Sequence, residues 1–363
     1  MIWDLPLRLF HWSMVGVVTV AGVTGFLAPD SWLDIHIKAG YALGGLLVFR
    51  LTWGFFGSHF SKFRSFPLSG KGVVTHLFQV IRNKPLEYLG HNPVGALMIV
   101  VLLVSLALLV ITGLVVAGGQ EKMGPLAFLT SYRVGHFAED IHEAAAWVVV
   151  WAVVVHVFGV VVETRIFHHP VILAMITGRK ATTLKGPTRE GWLKLTGGLI
   201  LSLGVTAAIV AGGAALAKKS PSGWRSLAYP KVYSSECGDC HDAYHPSLRS
   251  AAAWQAIMTG LSDHYGEDAS LGKNATDSIG AFLEANHAGT FDTEVAHRIG
   301  RKDTASLRLT DTRRWKKWHR EVDDSVFRLR VVGSKVNCTA CHTDALSGRF
   351  DDAKIHLPTG DKK

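Results

Sequence analysis

Five apolar stretches, at about residues 8–28, 34–57, 94–117, 139–163 and 193–216, constrain this chain more than any other feature. Each is long enough to cross a bilayer as a helix, which takes about 20 residues. Backbone polar groups in lipid have no water to bond, so consecutive spans of this length are expected to be helices. The composition agrees once position is considered. The chain has 363 residues, 48% of them hydrophobic, with a mean hydropathy of +0.22. That is too apolar for an ordinary soluble protein and too polar for one wholly in the membrane. The apolar material lies before residue 217, and a polar tail follows, so the length accommodates two domains. The first 216 residues carry 16 Lys+Arg against 10 Asp+Glu, and the rest 22 against 19. The net +9 is thus spread out, with no basic block, and nucleic acid is not an expected partner. The first apolar run leads into several more, so it is not read as a cleavable signal peptide.

The loops between the spans alternate in basic charge. Residues 29–33 have none; 58–93 contain Lys62, Arg64, Lys71, Arg82 and Lys84; 118–138 have only Lys122 and Arg133; 164–192 contain Arg165, Arg179, Lys180, Lys185 and Arg189. Basic loops stay in the cytoplasm, which predicts a cytoplasmic N-terminus and, after five crossings, a periplasmic tail.

The tail carries two pentapeptides, Cys237-Gly-Asp-Cys240-His241 and Cys338-Thr-Ala-Cys341-His342, which use all four cysteines. C-x-x-C-H is the spacing at which two thiols bond the vinyl groups of a haem while the following His takes an axial position. A zinc site would need four ligands converging on one point and no His directly after each pair. Two covalent c haems are therefore expected. Their attachment normally takes place outside the cytoplasm, in agreement with the loop charges.

Histidine within a span needs a reason to be there. His142 and His156 share the fourth span, 14 residues apart. That is about 3.9 turns, so both face one side, roughly 21 Å apart along the axis. One helix can therefore serve two stacked haems. Topology puts His11, at the cytoplasmic start of the first span, level with His156. It puts His36, at the periplasmic start of the second, level with His142. The expected pairs are His11/His156 and His36/His142, each holding a b haem within a four-helix bundle. Arg50 lies 14 residues after His36, and Arg8 three before His11. Both are candidates for haem propionates, with interfacial snorkelling as the alternative.

Trp3-Asp-Leu-Pro-Leu-Arg-Leu-Phe-His11-Trp12, His91-Asn-Pro-Val-Gly95 and Asp140-Ile-His142-Glu143 make residues 1–180 resemble the bacterial cytochrome b561 family, which is related to the b subunits of nickel–iron hydrogenases. The resemblance implies a bundle with two b haems that exchanges electrons with quinone. In the tail, Glu236 to Tyr244, Trp254 to Leu271 and Trp318-His319-Arg-Glu321 are similar to the dihaem cytochrome c family. That similarity implies two His ligands for each c haem. His264 and His319 lie in the matching segments and are the expected second ligands, beside His241 and His342, with the haem each one serves left open. Met258 reads as core. His245 is too near His241 to reach the opposite face of the same haem but could serve the other one. His287, His297, His356, His168 and His169 read as surface residues.

The expected architecture is all-α, with a transmembrane b561-like domain over 1–180, a cytoplasmic link and fifth transmembrane helix over 181–220, and a periplasmic, mostly helical dihaem domain over 221–363. The fifth span reads as a tether; Ala215-Leu-Ala217 also allows it to be a signal sequence cleaved after Ala217. Six-coordinate haems leave no site for substrate, which favours electron transfer over chemistry at the metal. The expected function is transfer from the quinol pool through two b haems and two c haems to a soluble periplasmic haem protein or terminal enzyme, in the bacterial inner membrane. Two alternatives are a superoxide oxidase that passes electrons to quinone, with Lys38, Lys122 and Arg133 drawing in the anion, and a membrane anchor for a hydrogenase. Pairing of two copies through the glycine-rich fifth span is also open.

Overall fold

The computed structural model describes residues 2–29, 32–82, 86–180, 191–301 and 306–358. Lys84, Lys185 and Arg189, used above to orient the loops, lie outside the described residues. The described residues form helices and turns, with two isolated β-bridges and no strand. Five helices are long and apolar enough to cross a membrane: α1 (Leu5–Phe26), α2 (Leu33–Phe56), α4 (Pro93–Gly119), α5 (Tyr132–Arg165) and α7 (Trp192–Leu216). These are the five spans expected from the sequence, with ends within three residues of the expected ones except that α5 begins seven residues earlier. Two further helices lie between them, α3 (Gly70–Ile81) and α6 (Val171–Thr177). Exposed Val74, Leu77, Phe78 and Ile81 form an apolar stripe along α3 at helical spacing, which suits the lipid headgroup boundary.

The chain divides into two compact units. The first comprises Met1–Leu27, Ile35–Leu114 and Phe137–Ala215. Its core is the cluster around Trp3, Leu7, Phe10, Leu43, Leu47, Trp53, Leu106 and Val149. Asp4 sets where α1 begins. Its Oδ1 caps the helix by accepting from Leu7 N at 2.7 Å, and the carboxylate also accepts from Trp53 Nε1, Ser58 Oγ and Ser61 Oγ. One buried carboxylate thus ties the start of α1 to the end of α2. The fifth span does more than tether. Leu195 and Leu199 pack on the same core, and a Cβ at Gly198 would lie 2.6 Å from the Phe56 carbonyl oxygen. That glycine is where α7 touches the end of α2.

The second unit comprises Ala28–Asp34, Val115–His136 and Leu216–Lys363. It holds α8 (Lys231–Glu236), α9 (Ala251–Thr259), α10 (Lys273–Ala285), α11 (Arg313–Trp318) and α12 (Asp324–Phe327), joined by short 3₁₀ turns. Two small cores serve the two cysteine boxes. One gathers Tyr233, Ala243, Trp254, Ile279 and Leu283; the other gathers Leu248, Val295, Ile299, Leu309, Trp315, Phe327 and Val332. Met258 packs against the first of these, as its reading as a core residue required.

Candidate haem sites

Three pairs of imidazoles face each other at nearly one distance. The ring centroids are 6.1 Å apart for His36 and His142, 6.4 Å for His241 and His264, and 6.1 Å for His319 and His342. An iron held between two imidazoles, with bonds of about 2 Å and each ring centre roughly 1.1 Å beyond its nitrogen, separates the centroids by about 6.2 Å. The fourth pair, His11 and His156, is close enough to interact electrostatically, and His11 Nδ1 is buried with no hydrogen-bond partner.

The tautomers agree with the spacing. His36 Nδ1–H donates to the Ala21 carbonyl at 3.0 Å, His241 Nδ1–H to the Asp242 carbonyl at 2.7 Å, and His319 Nδ1–H to the Trp315 carbonyl at 2.9 Å. A carbonyl can only accept, so these rings carry their proton on Nδ1 and offer the Nε2 lone pair to a metal. Two Thr-Gly dipeptides repeat one arrangement on different helices. Thr24 Oγ1 lies 3.2 Å from His36 Nδ1, and Thr112 Oγ1 lies 3.0 Å from His142 Nδ1. Each hydroxyl donates to a carbonyl one turn back, which leaves its lone pair for the imidazole. The next residue lets the ring come close. A Cβ at Gly25 would sit 3.0 Å from His36 Cε1, and one at Gly113 would sit 3.1 Å from His142 Cε1. We therefore expect Gly113→Val to lower the b-haem content while c-haem content stays constant, measured by pyridine haemochrome spectra. Gly16→Val, built where no atom lies within 4 Å, is expected to change neither. Equal b-haem content in the two variants would contradict the role given to Gly113.

The two boxes are bonded directly to each other. Asp242, which follows the first box, accepts from Thr339 N at 2.8 Å and from Thr339 Oγ1 at 2.9 and 3.0 Å. Thr339 lies between the two cysteines of the second box, so the carboxylate fixes one box against the other.

The loop between α4 and α5 forms part of the C-terminal unit. Asp292 accepts from Lys122 Nζ at 2.9 Å, the Tyr132 amide at 2.8 Å and His297 Nε2 at 2.7 Å. Arg298 Nε donates to Tyr132 Oη at 2.6 Å, and Arg349 donates to the Glu121 carbonyl at 2.7 Å. Two expectations are corrected here. His297 is a buried ligand of Asp292 rather than a surface residue. Lys122 is 2% exposed and paired, so it is not placed to draw in a small anion. His287 is half-buried, with a ring nitrogen that accepts from Gly289 N, and His169 pairs with Glu163; His356 and His168 are exposed.

Residues 2–178 match the family Prokaryotic cytochrome b561, and residues 233–350 match the family Dihaem cytochrome c. The dihaem cytochrome c from Rhodobacter sphaeroides is 34% identical, with 100% of that chain and 35% of this one covered and a TM-score of 0.30. The chain joins a region that matches the cytochrome b561 family to one that matches the dihaem cytochrome c family. The b561 half is similar to the probable Ni/Fe-hydrogenase B-type cytochrome subunit of Azotobacter vinelandii. That relative is 27% identical over 207 residues, which is 49% of this chain and 86% of that protein. The counterpart in Escherichia coli K12 is 21% identical over 211 residues, covering 50% and 90%. The dihaem cytochrome c from Shewanella baltica OS155 is 28% identical to the c half, covering 36% of this chain and 97% of that one, with a TM-score of 0.29.

Haem b and haem c binding come with these families, and the residues present fit such groups. Three imidazole pairs have the spacing for an iron, with Nε2 free in the rings whose Nδ1 bonds a carbonyl. The cationic side chains fit as well. Arg50 is 2% exposed, its guanidinium lies 4.6 Å above the Phe63 ring, and one of its nitrogens has no partner. Arg8 Nε is likewise buried without a partner. A buried guanidinium with unsatisfied N–H groups suits a carboxylate such as a propionate. His91, between Trp3 at 4.6 Å and Phe66 at 4.8 Å, is kept neutral, its pKa pushed down to about 3 by burial and by Arg50. His245 is 1% exposed; Ser247 N donates to its Nδ1, and its Nε2 has no partner. The paired Thr-Gly dipeptides and the Asp242–Thr339 bonds escaped the sequence reading. Thr-Gly occurs on three spans, at Thr24-Gly25, Thr112-Gly113 and Thr196-Gly197, so the dipeptide alone does not single out the former.

Proposed function

We propose that the protein is a membrane-bound tetrahaem electron carrier that takes electrons from quinol and delivers them outside the cytoplasm. In this reading His11 with His156 and His36 with His142 hold two b haems. His241 with His264 and His319 with His342 hold two c haems on Cys237, Cys240, Cys338 and Cys341. The observation that carries the proposal is the recurrence of a 6.1–6.4 Å imidazole spacing at His36/His142, a pair expected from the sequence, and at His241/His264 and His319/His342, whose pairing the sequence left open. Each group, once bound, supplies one-electron carriage.

The protein's own residues make that carriage possible. Protein imidazoles on both faces leave no open position for substrate, which disfavours bond-making at the metal. Carbonyls and threonine hydroxyls fix ring orientation and tautomer. Arg8 and Arg50 would neutralise propionates at the His11/His156 end. Neutral His91 beside Arg50 makes that end the favoured place for quinol to approach. Asp242 and Thr339 hold the two c boxes in register. The alternation of basic loops, by the positive-inside rule, supports a c domain on the periplasmic side of the inner membrane. The bonds from Asp292 and Arg298 to the α4–α5 segment favour an anchored domain over one released by a cut after Ala217, since they would retain it even if cut. The superoxide reading is disfavoured because Lys122 is already paired. Similarity to hydrogenase B-type subunits supports a second reading, in which a partner enzyme supplies the electrons.

The test is an anaerobic stopped-flow mix of the purified protein with a short-chain quinol, following the b and c α-bands separately. Reduction of b followed by c is expected. If b reduces while c stays oxidised, or neither changes, outward flow from quinol is excluded and a partner donor becomes the reading.

A further inference from the structure

We propose that the surface of the c domain around His319 is the docking face for a soluble, net-acidic redox protein, and that electrons leave there. The proposal rests on the reading of the protein as an outward carrier and adds where the exit lies and what the partner's charge must be.

Charge on the c domain is separated between its two boxes. Residues 236–268, which span the first box and His264, carry six Asp and Glu against one basic residue, Arg249, and that residue is 2% exposed. Residues 313–335, which flank His319 and lead to the second box, carry eight Lys and Arg against three Asp and Glu. Along the chain the segment of the first box is therefore acidic and the segment of His319 basic; in space Asp242 reaches Thr339 of the second box, and Arg308 lies 4.5 Å from the Tyr265 ring beside His264.

The basic segment is built around the imidazole expected to ligate the second c haem. Trp315 stacks on His319 at 4.1 Å between ring centres with 14° between planes. Lys335 Nζ lies 5.9 Å from the Trp315 ring centre and 5.2 Å from that of Phe327, whose own centre is 6.4 Å from His319. Arg313, Lys317, Arg320, Arg328 and Arg330 are exposed in the same segment. Lys335 also pairs with Asp324 and Arg320 with Glu321, but both pairs are exposed and screened, and the segment keeps its positive excess. Amid these charges Trp318 is 40% exposed and Val331 61%. An exposed aromatic and an exposed aliphatic residue on a segment rich in Arg and Lys match the composition of a transient protein interface, which combines apolar and charged side chains.

The physics then gives both partner and direction. A one-sign face accelerates encounter with an oppositely charged protein by about 10- to 1,000-fold at low ionic strength and repels a like-charged one. Positive charge around the second c haem also favours its reduced state, and negative charge around the first favours the oxidised state. Electrons are thereby drawn from the first box toward the second. In the exit step one electron leaves the domain and the acceptor's oxidised centre is reduced by one, with no bond made or broken. A lipid surface is the less suited partner, because the charges are gathered at a redox ligand rather than along a membrane-facing helix.

The experiment uses the full-length protein in detergent, reduced with dithionite and freed of excess reductant, so a failure of quinol to reduce it would leave this test intact. It is mixed with either of two oxidised monohaem cytochromes c of matched potential, one net acidic and one net basic. For the native protein we expect faster oxidation by the acidic acceptor, with a rate that falls as salt is added. The variant Arg313→Glu/Lys317→Glu/Arg328→Glu is expected to lose at least about 10-fold of that rate at low salt and to react faster with the basic acceptor. Unaltered c α-bands in the variant show that both haems are retained. If they are disturbed, Lys317→Glu and Arg328→Glu are measured singly and each is expected to lower the rate. An acidic-acceptor rate that does not respond to these reversals, or that rises with salt, overturns the proposal.

Discussion

Replacing His142 by Ala is expected to leave the protein with one b haem instead of two and both c haems unchanged. The reason is geometric. The His36 and His142 ring centres stand 6.1 Å apart, and among the described residues no other imidazole is in ring contact with either, so removing one would leave a haem there with a single protein ligand. Thr112→Val is the informative companion. It removes the hydroxyl 3.0 Å from His142 Nδ1 but keeps the ligand and the shape of the residue. Loss of such an outer partner typically weakens binding by about 10–100-fold, so Thr112→Val should retain haem on purification and release it sooner under mild denaturant. Pyridine haemochrome spectra give the b to c ratio for each variant. In the quinol mix, His142→Ala should also fail to pass electrons to c. A normal b to c ratio in His142→Ala would exclude it as a ligand.

The second large effect is expected at Asp292, which lies far from every box in the sequence. Burial alone would raise its pKa, but hydrogen bonds from His297, Lys122 and the Tyr132 amide bring it down to about 2. The unfolded chain has an Asp pKa of about 3.9. The carboxylate therefore contributes stability above pH 4, and that contribution fades as pH falls toward 2. Asp292→Asn leaves Lys122, whose side chain is 1% exposed, as a buried cation without its counter-charge. Asp292 is 23% exposed and Lys122 keeps its bond to the Thr130 carbonyl, so the loss lies below the ~3–5 kcal/mol of a fully buried pair. We expect the variant to lose hydrogen-exchange protection over residues 120–136 at pH 7. Asp292→Asn/Lys122→Met removes both charges and should recover part of it. Wild-type protection in the single variant would show that the Asp292 contacts do not hold this loop.

Several features were legible from spacing alone. The five spans could be read because a bilayer demands about 20 apolar residues and a helix satisfies its own backbone. The C-x-x-C-H boxes could be read because their chemistry is local to five residues. His142 and His156 could be placed on one helix face because 3.6 residues per turn makes that arithmetic. Helix α3 was missed within a loop, because its apolar stripe is only four residues long and faces outward. His297 was taken for a surface residue because nothing near it in sequence shows that Asp292 and Tyr132 bury it; its ring lies 4.7 Å from that of Tyr132.

The sequence by itself determined the features that depend on composition and short spacing: membrane helices, cysteine boxes, two histidines on one face of one span, and resemblance to two cytochrome families. The tertiary structure decided which groups surround those histidines. It brought Thr24 to His36 and Thr112 to His142, bonded Asp242 to Thr339 across 97 positions, and gave the α4–α5 loop to the C-terminal unit through Asp292. A helix or a box is fixed by neighbours along the chain. A hydrogen bond between distant residues exists only after the backbone has folded them together, and no local pattern encodes it.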